Sequence, residues 1–183
     1  KAALYNRQAG TRAAAHATNA DAVKAYEAAL HALAQLPPTR ETAEESIDIR
    51  LELIPALLQL GRLDELVSMA REAETRARDI GDDRRLGRVY AHLVNYYYLR
   101  GQPAAAIAYG HRYVDVVRPT GDLALQGLGR QYIGQSHHLR GEYAAAEEAL
   151  RTNLALDPDQ HATCYIASCS WLAWTLAERG DFE

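Results

Sequence analysis

Apolar residues recur along this chain at the three- and four-residue spacings of a helix face, so the pattern predicts helices throughout. The stretches "IDIRLELIPALLQLG", "LGRVYAHLVNYYYLRG", "LGRQYIGQSHHLRG" and "SWLAWTLAERG" each end in glycine, at Gly61, Gly101, Gly141 and Gly180. Those glycines lie 40, 40 and 39 residues apart. A second amphipathic run follows each of the first three: "RLDELVSMAREAETRARDIG", "QPAAAIAYGHRYVDVVRPTG" and "EYAAAEEALRTNLALDP". Gly81 and Gly121 close two of these runs, where a left-handed residue ends a helix. Gly87 and Gly127 keep the same spacing. The phrase "LRGQPAAA", which ends at Ala106, returns as "LRGEYAAA", which ends at Ala146. Two helices per period with glycine turns between them describe stacked helical hairpins.

The first unit is more divergent. "LYNRQAGTRAAAHA" reads as one helix and "NADAVKAYEAALHALAQL" as its partner. Pro37 and Pro38 stop that partner, and Thr42 with Glu45 reads as the capping box that starts the next helix. The expected units are 1–38, 42–81, 82–121 and 122–160, with a half unit at 161–183. A single hairpin cannot bury its own apolar stripe. Leu53, Leu57, Leu93, Tyr97, Ile133, Leu172 and Leu176 recur at equivalent positions as core anchors. A lone first helix at the end of the sequence leaves Trp171 and Trp174 either partly exposed or covered by sequence beyond the excerpt.

Composition supports helices and removes several functions. Ala, Leu, Arg and Glu dominate, and 48% of residues are hydrophobic, enough for a continuous core. The net charge of −4 gives no footprint for nucleic acid or acidic lipid. Lysine occurs only at Lys1 and Lys24, which fits a GC-rich genome. Cys164 and Cys169, five apart on a helix, suit neither a disulfide nor a zinc clasp and read as small apolar residues of a reduced, cytoplasmic protein. No apolar run reaches the length of a membrane span, and no signal peptide is visible. Opening at Lys1 rather than Met suggests an excerpt of a larger protein.

The pattern resembles tetratricopeptide repeats, whose hairpin helices cross closely at small residues. In unit one Gly10 takes the small position of the first helix, and Ala22, Tyr26 and Ala29 take the Ala, aromatic and Ala positions of the second. Unit four matches with Gly134, Tyr143, Ala146 and the closing Pro158. Units two and three depart: Ile54 and Val94 replace the small residue, and Gly110 and Tyr113 replace the aromatic and the second Ala. The resemblance implies an all-α fold, an α–α superhelix of antiparallel helix hairpins. The forty-residue period is similar to that of repeats in bacterial signal-transduction ATPases. The order of segments resembles the C-terminal repeat region of bacterial class III adenylate/guanylate cyclases that carry an AAA-type ATPase module.

No catalytic signature accompanies that resemblance. Phosphate-loop, zinc-protease and nucleophile-elbow patterns are missing, as are the paired metal-binding aspartates of a cyclase. "GLGRQYIG" lies inside a helix pattern with no preceding strand, which argues against dinucleotide binding. His137 and His138 are helix neighbours about 100° apart and cannot share an ion comfortably. "REAETRARDIGDDRR" reads as a solvated face with i,i+4 pairs. No cofactor or metal is expected. By repeat alignment Tyr97 points between helices, whereas Arg88, Asn95, Tyr98, Gln131, Gln135, His138 and Trp174 line the concave face. Amides, one Arg and aromatic rings suit an extended peptide. The expected function is a non-catalytic protein-interaction and regulatory module that binds a partner or its parent's own catalytic modules. The alternatives are a sensor of a small ligand or signalling peptide, and a homo-oligomerising scaffold built on the unpaired last helix.

Overall fold

A computed structural model describes the backbone of residues 1–155 and 158–181, with side chains described through 155 and again from 164 to 181. The helices in chain order are α1 (Ala2–Ala15), α2 (Asn19–Ala34), α3 (Arg40–Gln59), α4 (Leu63–Asp79), α5 (Asp83–Leu99), α6 (Pro103–Val117), α7 (Leu123–Leu139), α8 (Tyr143–Leu154) and α9 (Pro158–Glu178). A 3-10 turn at Arg118–Thr120 follows α6, and the described residues contain no strand. Two compact units divide the chain, Lys1–His92 and Leu93–Glu183.

Glycine placement explains the turns. Gly61, Gly81, Gly101, Gly121, Gly141 and Gly180 all have φ between +63° and +77°. That region is nearly free of strain for glycine and costly for residues with a Cβ. Each lets the chain reverse within two residues.

In the Lys1–His92 unit, α1 packs on α2, α2 on α3 and α3 on α4. Val23, Tyr26, Ile47, Ile49, Leu53, Ile54, Leu57 and Leu66 are almost wholly buried there. Helix α3 starts three residues earlier than the capping box at Thr42 and Glu45 would place it. Thr39 is the N-cap: its Oγ1 accepts from the Thr42 amide at 3.2 Å, and Thr42 Oγ1 accepts from the Thr39 amide at 2.8 Å. Glu45 is taken instead by Arg7, whose Nη1 lies 2.7 Å from its Oε2. Arg7 also donates from Nε and Nη2 to Glu52, so one guanidinium ties α1 to two residues of α3 that lie about two turns apart. The Glu52 hydrogen bond, then that of Glu45, hold Arg7 above its ordinary pKa against the opposing cost of burial.

The charged run on α4 is not wholly solvated, contrary to its pattern. Glu74 is buried and meets Arg78 Nη2 at 2.6 Å. Arg50 of α3, also buried, is held by Ser46 and by Glu72 Oε2 at 2.6 Å. Packing of α3 against α4 draws these charges inward, and partners compensate them there.

In the Leu93–Glu183 unit, α7 packs on α6 and α8, and α9 packs on both α7 and α8. The anchors Leu93, Tyr97, Ile133 and Leu172 are buried; Leu176 is only half-buried. Tyr97 stacks on Tyr109 with centroids 5.3 Å apart. Close helix crossings follow a size rule. A Cβ on Gly10 would stand 2.8 Å from the Tyr26 ring, and one on Gly134 would stand 2.6 Å from Leu150 Cγ. Gly10 and Tyr26 are therefore matched by Gly134 and Leu150, the same 16 residues apart. This corrects the reading of unit four: Leu150, not Tyr143, fills the aromatic position. Ala146 is wholly buried like Ala22 and Ala106, while Tyr143 is the half-buried first residue of α8. In units two and three the large residue moves to the first helix, as Ile54 and Val94, and the second helix carries Ala70 and Gly110. All eight residues are buried. Pro158 opens α9, and its side chain lies outside the described residues.

Candidate functional site

Helix periodicity groups the nominated residues before any contact is considered. Asn95 and Tyr98 lie three apart on α5. Gln131, Gln135 and His138 lie at i, i+4 and i+7 on α7, which places them on one stripe. Trp174 lies on α9. The second unit brings three of these together through a residue outside the nominated set, Trp171. The Tyr98 and Trp171 rings meet edge-to-face at 6.4 Å, and Trp171 stacks on Trp174 at 5.2 Å. His138 packs against Trp171 and Trp174, both at 5.3 Å, and against Tyr143 at 5.5 Å.

His138 is the pivot of this cluster and is 8% exposed, so it supports the rings rather than meeting a partner itself. Its Nδ1 lies 3.0 Å from Thr175 Oγ1, and that hydroxyl donates to the Trp171 carbonyl at 2.8 Å. A hydroxyl has one proton to give. The network therefore puts a proton on Nδ1, donated to Thr175. The link from Trp171 through Thr175 to His138 fixes α9 on α7. Gln135, at 6% exposure, is likewise shut in. For these two residues the concave-face projection overestimates access, because α9 packs against α7.

What remains accessible is aromatic and amide. Trp174 is 55% exposed, and Trp171, Tyr98, Asn95 and Gln131 are half-buried. Burial pushes the Tyr98 phenol above its ordinary pKa, so it stays a neutral donor. Neither Asn95 nor Gln131 has a side-chain hydrogen bond among the described residues, which leaves both amides open to a peptide backbone. Sequence reasoning marked Trp171 as exposed but did not place it in the site. The available signal was its i,i+3 spacing from Trp174.

Arg88 belongs to the Lys1–His92 unit. Its half-exposed side chain reaches Asp48 Oδ1 at 3.3 Å. Asp48 is held chiefly by Arg85, which donates to its two oxygens at 3.0 and 2.8 Å and also meets Asp82. The Asp48 hydrogen bond, opposed by burial and followed by that of Asp82, raises the Arg85 pKa. His92, half-buried on the same helix, is pushed down to about 4 by burial and by the charge of Arg88.

His137 Nδ1 contacts Glu142 Oε2 at 2.7 Å. Both cysteines are free thiols, Cys164 half-buried and Cys169 exposed. Burial raises the Cys164 pKa, which makes it a poor nucleophile. Among the described residues no group of three or more His, Cys, Asp or Glu is placed to hold a metal. No helix searched among them is long and apolar enough to cross a membrane.

This architecture is similar to solved repeat proteins. A putative kinesin light chain of Podospora anserina with nearly identical TPR-like repeats superposes with a TM-score of 0.79 at 16% identity, covering 97% of this chain and 87% of its own. BtubC (BKLC) from P. vanneervenii superposes at 0.78 with 14% identity, covering 94% of this chain and 71% of its own. The fold is a TPR-like solenoid. No protein-family model and no curated protein matches the sequence.

Proposed function

We propose that this chain is a non-catalytic protein-interaction module whose second unit receives an extended segment of a partner. The observation that carries this reading is the paired indole face of Trp171 and Trp174, backed by His138 and flanked by Tyr98. Rigid rings of this kind supply contact area at low entropic cost, and the unpaired amides of Asn95 and Gln131 supply backbone hydrogen bonds. Arg88, anchored by Asp48 in the first unit, offers a separate charged contact. The TPR-like fold supports a protein partner in general terms. The sequence resemblance supports a finer setting, the cytoplasmic regulatory region of a bacterial nucleotide cyclase with an ATPase module. There the mechanism is linkage: a partner favouring one state of the parent shifts its activity by its differential affinity and no further.

The chain has two tryptophans, and both lie in the proposed face. Proteins captured from a bacterial lysate on the wild type, but not on a folded Asn95→Ala/Tyr98→Ala double variant, supply candidate segments. Each segment is then titrated as a synthetic peptide while tryptophan emission is followed. A saturable emission change that the double variant weakens at least about tenfold supports the reading. Equal capture by both baits, or binding with unchanged emission, defeats it.

A further inference from the structure

One pocket of the Lys1–His92 unit has no part in the proposed partner face. It has a volume of about 280 Å3 and lies where the end of α2, the linker after it, the first half of α3 and Arg76 of α4 meet. Leu33, Leu36 and Pro38 give it apolar walls, and Leu36 is 49% exposed there. Arg50 and Arg76 are its charged members, and no Asp or Glu is among the lining residues.

The two guanidinium groups are unequally served. Arg50 is buried and spends its nitrogens on Ser46 and Glu72. Glu72 stands four residues before Arg76, the spacing of a helical ion pair, yet its carboxylate is turned to Arg50. Arg76 is exposed and has no hydrogen bond or ion pair among the described residues. The charges of the two arginines also act on each other. Burial holds the Arg50 pKa below its ordinary value against the Glu72 hydrogen bond, and the charge of Arg76 adds to the lowering. Two permanent cations therefore share one carboxylate. One positive charge is left over, on a side chain that solvent and ligands can reach. It stands beside apolar surface that includes an exposed leucine, so the lining matches a molecule with one negative charge and an apolar body. A second negative charge on the ligand would find no second free cation.

We propose that this pocket binds a small aliphatic acid, with its single carboxylate on the guanidinium of Arg76 and its chain along Leu33, Leu36 and Pro38. The planar fork of Arg76 suits a carboxylate, and Arg50 behind it adds positive field without giving up its own partners. The site lies in the first unit and does not depend on the peptide face of the second.

The test is an amide NMR titration of the intact chain at neutral pH with hexanoate, its neutral isostere hexanamide, and inorganic phosphate. Hexanoate is expected to shift the amides around Leu33, Ala43 and Arg76 saturably, and to bind at least about tenfold more tightly than either of the others. Arg76→Gln, at an exposed position, should reduce hexanoate to the level of the amide. Leu36→Asn should weaken acid and amide alike, by about fivefold. Circular dichroism checks that each variant is folded, and if Arg76→Gln is not, Leu36→Asn decides. Equal binding of acid and amide, phosphate binding as tight as that of hexanoate, or no saturable shift up to about 20 mM would overturn the proposal. So would shifts centred on Trp171 and Trp174 instead, or wild-type affinity in a folded Arg76→Gln or Leu36→Asn variant.

Discussion

At the scale of single residues, the fold depends on matched sizes where helices cross. Gly134→Ala places a methyl 2.6 Å from Leu150 Cγ and 3.4 Å from the Ala146 carbonyl oxygen of the same helix. Overpacking of this kind should cost about 1–3 kcal/mol. Leu150→Ala, at a wholly buried position, should cost about 2–5 kcal/mol by leaving a cavity. The double variant should lose clearly less than the sum of the two, because each change relieves the other. Urea denaturation of the three variants measures that coupling, and strict additivity would show that the two positions do not share one space. His92 gives a residue-scale prediction of another kind. Its folded pKa of about 4 lies below the ordinary value of 6.5, so between those limits the unfolded chain binds more protons than the folded one. Stability tied to the neutral ring is complete above pH 6.5 and is lost as pH falls toward 4, by at most about 3 kcal/mol. His92→Gln should therefore flatten the fall in urea midpoint between pH 7 and pH 4.5. An unchanged slope would mean that His92 is not the group responsible.

At the scale of elements, helix ends and inter-helix charges decide where segments begin and how they dock. The reciprocal bonds of Thr39 and Thr42 set the start of α3, so Thr39→Ala should destabilise the protein by about 1 kcal/mol and slow nothing else. Thermal denaturation followed by circular dichroism measures it; the same loss from Glu45→Ala in an Arg7→Ala background would restore the cap to Thr42. Arg7 has the larger role because it joins α1 to Glu45 and Glu52 of α3 with four hydrogen bonds. Arg7→Gln should cost roughly 1–3 kcal/mol and raise amide exchange in α1 before any other helix. These boundaries were only partly legible in the sequence. "PPTRETAEE" offers two threonines as caps, and the pattern S/T-x-x-E favours Thr42 with Glu45. What moves the start to Thr39 is that Glu45 is claimed by a residue 38 positions away.

At the scale of the molecule, the proposed partner face carries little charge. The net charge is −4, and the accessible members of the aromatic cluster are uncharged. Peptide binding there should accordingly vary less than about threefold between 50 and 500 mM NaCl, in contrast to a contact built on ion pairs. Tryptophan emission titrations at the two salt concentrations test this, and a loss of tenfold or more would shift the weight of binding from rings and amides to charges such as Arg88.

The sequence by itself determined the period, the helical class and the turns. Those features are local: a 3.6-residue apolar stripe, a glycine at positive φ and a breaker proline act within a few residues of themselves. It also placed Tyr98, His138 and Trp174 on related helix faces, because equivalent positions recur at one period. Only the tertiary structure decided access. Packing of α9 on α7 buries His138 and Gln135 and brings Trp171 into the cluster. It likewise decided which side of each crossing is large, since Gly134 requires Leu150 only once the two helices touch, and which charges of α4 go inward. Each of these is a property of pairs distant in sequence, where shape and desolvation select among options that local pattern leaves equal.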